Sequence, residues 1–246
     1  MGAFRGRKGF TLMETLLAIA LVGTLLSIFL TVFVPARGLV RQALTRQEAE
    51  RITSVLRAEM STLRADEEAP ASAKSSSPTS FLSPFDKAFY WVRASVRPST
   101  SIVIFSYRAD MSKPPRADGS FPPVPAAKSM PGAHMQLVTV ACPMNDRVHQ
   151  NDIKDAVGPV FLVRMTQLID RGDGVFRAHK SPGVIAAATA PEAFVSDRDD
   201  AEAWGGVVFC RADFFLMSPP NPARYRTKTW RQMGRPLFSA NLSFHR

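Results

Sequence analysis

Sulfur and imidazole are scarce in this chain, with two cysteines and four histidines among 246 residues. His134, His149, His179 and His245 stand apart from one another, none at metal-ligand spacing, and two cysteines without clustered histidines do not make a structural zinc site. No G-x-S-x-G, H-E-x-x-H or phosphate-cradling glycine loop occurs, and no serine has a recognisable base partner. The sequence thus carries no signature of an enzyme and implies no cofactor. Acidic residues are outnumbered, 21 against 31 Lys and Arg, for a formal charge of +10 and a pI near 10.2. Such a balance suits nucleic acid or anionic lipid. The arginines are spread along the chain, however, apart from the stretch after residue 36 and the tail Arg224, Arg226, Lys228, Arg231, Arg235. Nucleic acid is not expected as a partner.

Charge is most conspicuously missing between Phe10 and Val34, 25 residues with one ionisable group, Glu14. As a helix this run would be about 37 Å long, enough to cross a bilayer with some tilt. Gly23, Thr24, Ser27 and Thr31 interrupt it mildly, and such hydroxyls bond back to the helix backbone. Pro35 stands where a span would bend or end. A carboxylate in hydrocarbon costs about 2.5–3.5 kcal/mol, so Glu14 either sits at headgroup level or awaits a positive partner.

Ahead of that run lie Arg5, Arg7 and Lys8, then Gly9-Phe10-Thr11-Leu12-Met13-Glu14. A basic leader, a glycine, a phenylalanine opening an apolar run and a glutamate five residues after the glycine resemble the type IV prepilin signal of pilins and pseudopilins. The resemblance covers residues 5–35. It implies cleavage by a prepilin peptidase between Gly9 and Phe10, N-methylation of Phe10, and an assembly role for Glu14 against the terminal amine of a neighbouring subunit. A buried pair of that kind fixes register more than it adds stability. Losing the leader would lower the formal charge from +10 to +7. A secretory signal peptide would place its cleavage site after the apolar core, whereas here the glycine precedes it.

The expected organisation is a leader (1–9), a membrane and assembly helix (10–35), an amphipathic helix (36–64), a linker (65–84) and a globular head (85–246). Ile52, Val55, Leu56, Met60 and Leu63 make one apolar stripe. Residues 65–84, rich in Ala, Ser and Pro, read as linker, and the prolines between 109 and 133 as a surface excursion. Runs rich in Val, Ile, Phe and Tyr predict strands at Phe89–Val96, Ser101–Tyr107, Met135–Cys142, Val160–Ile169, Val175–His179, Gly206–Met217 and Leu237–Phe244. Asp170 to Gly174 is a hairpin turn that also explains the tripeptide Arg171-Gly172-Asp173. The close spacing of the runs leaves little room for crossover helices, so the sheet is expected to be antiparallel. The fold class is α+β, a long N-terminal helix laid on an antiparallel sheet, which is also the pilin arrangement.

Cys142 and Cys210 are the candidates for one disulfide, which would close a loop worth about 4 kcal/mol; two buried cysteines that never meet explain them as well. Asp197, Asp199, Asp200 and Glu202 gather oxygen ligands, as some calcium-binding pseudopilins do. The EF-hand order is missing and Arg198 intrudes, so a solvated loop accounts for them and no metal is expected.

The family resemblance implies a minor pseudopilin of a type II secretion-like machine, closest to the J class, which keeps the glutamate. Its partners would be the prepilin peptidase, other pilin or pseudopilin subunits, an inner-membrane assembly platform and an ATPase. It would lie in a bacterial inner membrane as a single-pass protein with its head in the periplasm, from where it could be drawn into a periplasmic fibre. The alternatives are a minor type IV pilin in adhesion, motility or DNA uptake, and a signal-anchored periplasmic enzyme or binding domain.

Overall fold

The computed structural model describes residues 11–63, 68–69, 79–81, 83–116, 118–125, 134–146, 148–170, 173–187, 190–194 and 206–246; for 32–46, 68–69, 79–80, 187 and 190–194 it describes the backbone alone. The chain divides into two units, Met1–Glu50 and Arg51–Arg246.

Helix α1 (Leu12–Met60) begins where the Leu- and Ala-rich run begins, as the high helix propensity of those residues favours. It continues through Pro35 without a break in its helical assignment. The expected end or bend there is therefore not observed as an interruption, although the proline still lacks the N–H that its turn would use. From Arg51 onward the helix belongs to the second unit. There Ile52, Leu56 and Met60 are buried and Val55 packs beside them. Leu63, the last member of the expected stripe, lies past the helix end and is exposed.

Two short strands, β1 (Glu68–Ala69) and β2 (Thr79–Ser80), pair antiparallel inside the stretch expected to be a linker. Helix α2 (Pro84–Ala94) follows. It corrects the expected strand at Phe89–Val96, and its residues show why. Ser83 caps the helix, accepting the Asp86 N–H at 3.1 Å, Pro84 occupies the first turn and Asp86 adds an acid there. Phe85, Ala88, Phe89 and Val92 then recur with helical period and are all buried. Reading from Phe89 cut that period in half.

The main sheet uses β3 (Ile102–Asp110), β4 (Met135–Pro143), β5 (Phe161–Asp170), β6 (Phe176–Ala178), β9 (Val207–Leu216) and β10 (Phe238–His245). A separate ladder joins β7 (Ala186–Ala187) to β8 (Ala190–Phe194). All pairings in the main sheet are antiparallel, in the order β10-β9-β5-β3-β4, with β6 folding back on β5. Strand β3 meets β5 only over Ile102–Ile104. Past that point β5 turns to β6, with Asp170 opposite Phe176 across the expected hairpin. Gln167 extends this edge with its side chain: the amide donates to the Ala186 carbonyl at 3.0 Å and accepts the Ala186 N–H at 2.7 Å.

Alternation along the strands fills two cores. One face carries Ile102, Ile104, Phe161, Val163, Met165, Cys210, Ala212 and Phe214 against α2 and the last turns of α1. The other carries Val103, Phe105, Tyr107, Val140, Cys142, Leu162 and Phe215. Met144, Ile153, Tyr225 and Trp230 close over it from short 3₁₀ turns and loops. The proline-rich stretch contributes too, since Phe121 packs against this core and Tyr107 donates to its carbonyl at 2.9 Å.

Candidate functional site: the apolar N-terminal helix and its glutamate

Gly9 and Phe10, the expected cleavage and methylation positions, lie outside the described residues. Glu14 is described, in the first turn of α1. Its backbone N–H reaches the Thr11 hydroxyl at 3.4 Å, and its carboxylate accepts the Thr11 N–H at 3.5 Å. The two long bonds form a reciprocal capping box, Thr-x-x-Glu. They occupy donors at the helix start, where the macrodipole also favours an anion. Thr11 is thus a residue that sequence reasoning passed over, although the spacing Thr11 to Glu14 was legible once the helix start was fixed.

Leu12–Thr31, Glu14 included, has a mean hydropathy of 2.1, and none of it is buried inside the structure. One N-terminal helix is therefore long and apolar enough to span a membrane. Each hydroxyl on it finds a carbonyl on its own helix. Thr15 donates to Leu12, Thr24 to Ala20, Ser27 to Gly23 and Thr31 to Ser27. Such bonds remove the several kcal/mol that an unsatisfied group would cost in hydrocarbon. Among the side chains described on Leu12–Thr31, only Glu14 carries an ionisable group.

The cysteine expectation fails on geometry. Cys142 lies on β4 and Cys210 on β9, with β3 and β5 between them. Three strand spacings of about 4.8 Å separate their strands, and a disulfide needs Cα atoms within about 7 Å. They also point into opposite cores, so they are two buried core residues. Burial pushes the Cys210 thiol up to about 12, which keeps it from becoming the thiolate that disulfide chemistry requires. The acids at 197–202 lie outside the described residues. Asp170 and Asp173 are spent on the hairpin: Asp170 accepts the Gly174 N–H at 3.1 Å, and Asp173 pairs with Arg177 at 2.6 Å. No cluster of three potential metal ligands occurs among the described residues.

The head holds three polar clusters that the sequence did not reveal. Lys87 on α2 is fully buried and reaches Glu59 of α1 at 3.0 Å, the Thr62 carbonyl at 2.8 Å and the face of Trp91 at 4.8 Å. Asp213 on β9 takes Arg164 at 2.7 Å, Arg211 at 2.7 Å and the Ser239 hydroxyl at 2.6 Å. Burial works to raise its pKa, but the bonds from Ser239, Arg164 and Arg211 outweigh that and hold it below the usual range. Asp152 behaves alike: burial acts upward, and the bonds from His149 and Arg116 bring it down. His149 bridges Asp152 and Asp118 at 3.2 and 3.1 Å, tying the proline-rich loop to the turn that covers the second core. Ser120 donates to Asp118 rather than to the imidazole. These clusters fasten segments together.

Comparison with protein-family models, curated proteins and solved structures returns no match.

Proposed function

We propose that the chain is a pilin-like structural subunit, a minor pseudopilin of a type II secretion-like envelope machine. One observation carries the reading: a basic leader and Gly9-Phe10 stand immediately before a spanning helix whose only described charge is Glu14. A prepilin peptidase would cut after Gly9, leaving the new Phe10 amine to be methylated and the helix to enter a fibre beside those of other pilin-like subunits. An inner-membrane platform and its ATPase would drive that step, with the head on the periplasmic side. The wholly unburied apolar surface of Leu12–Thr31 supports the reading, because such a surface needs lipid or other helices around it. In this scheme Glu14 neutralises the amine of an adjacent subunit. A minor type IV pilin would use the same tag.

The capping box favours a second reading, in which Glu14 serves only its own helix and the chain is a signal-anchored periplasmic domain. Glutamine separates the two, since it fills the same capping position without a charge. The pilin reading expects Glu14→Gln to be cleaved and inserted normally yet to enter filaments poorly, and mass spectrometry to find an N-methylated Phe10. Normal filament entry of Glu14→Gln, or a retained Met1 in the functional protein, overturns it.

A further inference from the structure

The last 33 residues, Phe214 to Arg246, contain no Asp or Glu. Within them the segment that closes the second core exposes Arg224, Arg226, Arg231 and Arg235, none of which forms an ion pair among the described residues. Its aromatic side chains face the other way, with Tyr225 and Trp230 buried beneath it. Beside this cationic rim lies a half-open cavity of about 270 Å³ lined by Ser99, Met144, Asn145, Gln150, Pro222 and Arg226. The cavity brings together a hydroxyl, two carboxamides and a guanidinium. These polar side chains have no hydrogen-bond partner among the described residues, and no carboxylate lines the wall. The hydroxyl and carboxamides can donate as well as accept, and the guanidinium, with no carboxylate to balance it, makes the wall suit an oxyanion better than a cation.

We propose that this cavity is an anchor site for a carboxylate side chain of an acidic polypeptide partner, with Arg224, Arg231 and Arg235 meeting further acids around it. The lining selects the occupant. Met144 and Pro222 supply apolar wall against which the methylenes of a glutamate pack, while Arg226 takes its carboxylate in a forked contact. The volume holds one such side chain with a few waters. Nucleic acid is the poorer fit, because the inward aromatics leave no stacking platform for bases. The inference does not depend on the reading of the N-terminal helix.

The test uses the full chain in zwitterionic detergent and a fluorescein-labelled oligoglutamate peptide followed by anisotropy. Arg226→Gln should weaken binding about tenfold, the effect of losing one charge-assisted contact. Gln150→Ala should weaken it too without touching the charge. Lys180→Gln, which removes an equal charge from an exposed site on another segment, should leave binding as it was. Thermal melts of all three guard against misfolding, and Gln150→Ala decides the matter if Arg226→Gln melts early. Wild-type affinity in both cavity variants, an equal loss in Lys180→Gln, or displacement of the peptide by duplex DNA or phosphatidylglycerol vesicles more readily than by unlabelled oligoglutamate, overturns the proposal.

Discussion

Glu59→Gln is expected to destabilise the head far more than the loss of a surface ion pair would. Lys87 has no exposed side-chain surface, and Glu59 is only 13% exposed. Removing one partner of such a pair leaves an uncompensated buried charge, which costs about 3–5 kcal/mol. The Thr62 carbonyl and the Trp91 face stay in place and recover part of this, about 1–2 kcal/mol together. A net loss of about 1–4 kcal/mol follows, or roughly 2–16 °C in Tm for a unit of this size. Lys87→Met keeps the packing but takes the ammonium away from Glu59. That carboxylate is 13% exposed and can take water, so the change should cost less than Glu59→Gln, whereas replacing both charges costs little or stabilises. The double variant should therefore be at least as stable as either single, not carry the sum of their losses. Near-UV circular dichroism of the full chain in detergent, with Trp91 beside the pair, reports the transition. A Glu59→Gln protein that melts within about 1 °C of wild type, or a Lys87→Met protein that melts lowest of the three, refutes the reasoning.

Acid should unfold the head through Asp213 and Asp152. Both are held below the ordinary aspartate range in the folded state, so their contribution is complete above about pH 4, the unfolded value, and is lost as the pH falls through the lower folded values. Asp213→Asn should flatten the acid limb of a stability-against-pH curve, and an unchanged slope would count against that assignment. Gly183 sits at φ +73°, and a Cβ there would come within 2.6 Å of the Val96 backbone nitrogen. Gly183→Ala should cost more than about 1 kcal/mol by urea titration, and a neutral result would mean that α2 and this loop are less closely apposed. Reducing agent should leave the melting curve unchanged, because Cys142 and Cys210 lie on opposite faces of the sheet; a reductant-dependent Tm would contradict that placement.

The strands of the main sheet were legible because β-branched and aromatic runs punctuated by turns leave few other options, and six of the seven expected runs form them; the short ladder of β7 and β8 was not expected. Strand order was not legible: nothing local tells β5 to pair with β9 rather than with β4, since that choice depends on which buried faces must meet. The misread run at Phe89 failed because its Trp, Phe and Val suit a buried helix and a strand equally, and the deciding signal, Ser83-Pro84, lay inside what looked like linker. Glu14 was legible as an anomaly, its bond to Thr11 only as a spacing. The cavity around Arg226 was not legible at all, since Ser99, Asn145 and Gln150 reach it from distant parts of the chain. A lysine as fully enclosed as Lys87 also runs against the ordinary surface preference of its type.

Ile52, Leu56 and Met60 come from the same helix that carries the apolar run, yet they sit inside the head's own core. A protease or an expression strategy that severs the chain after Met60 would remove three plugs and leave a greasy gap beside α2. Soluble versions should therefore start no later than Arg51. During biosynthesis the same dependence sets an order of events, because the periplasmic portion, if exported as proposed, can finish folding only once the end of its own tether has been delivered to it.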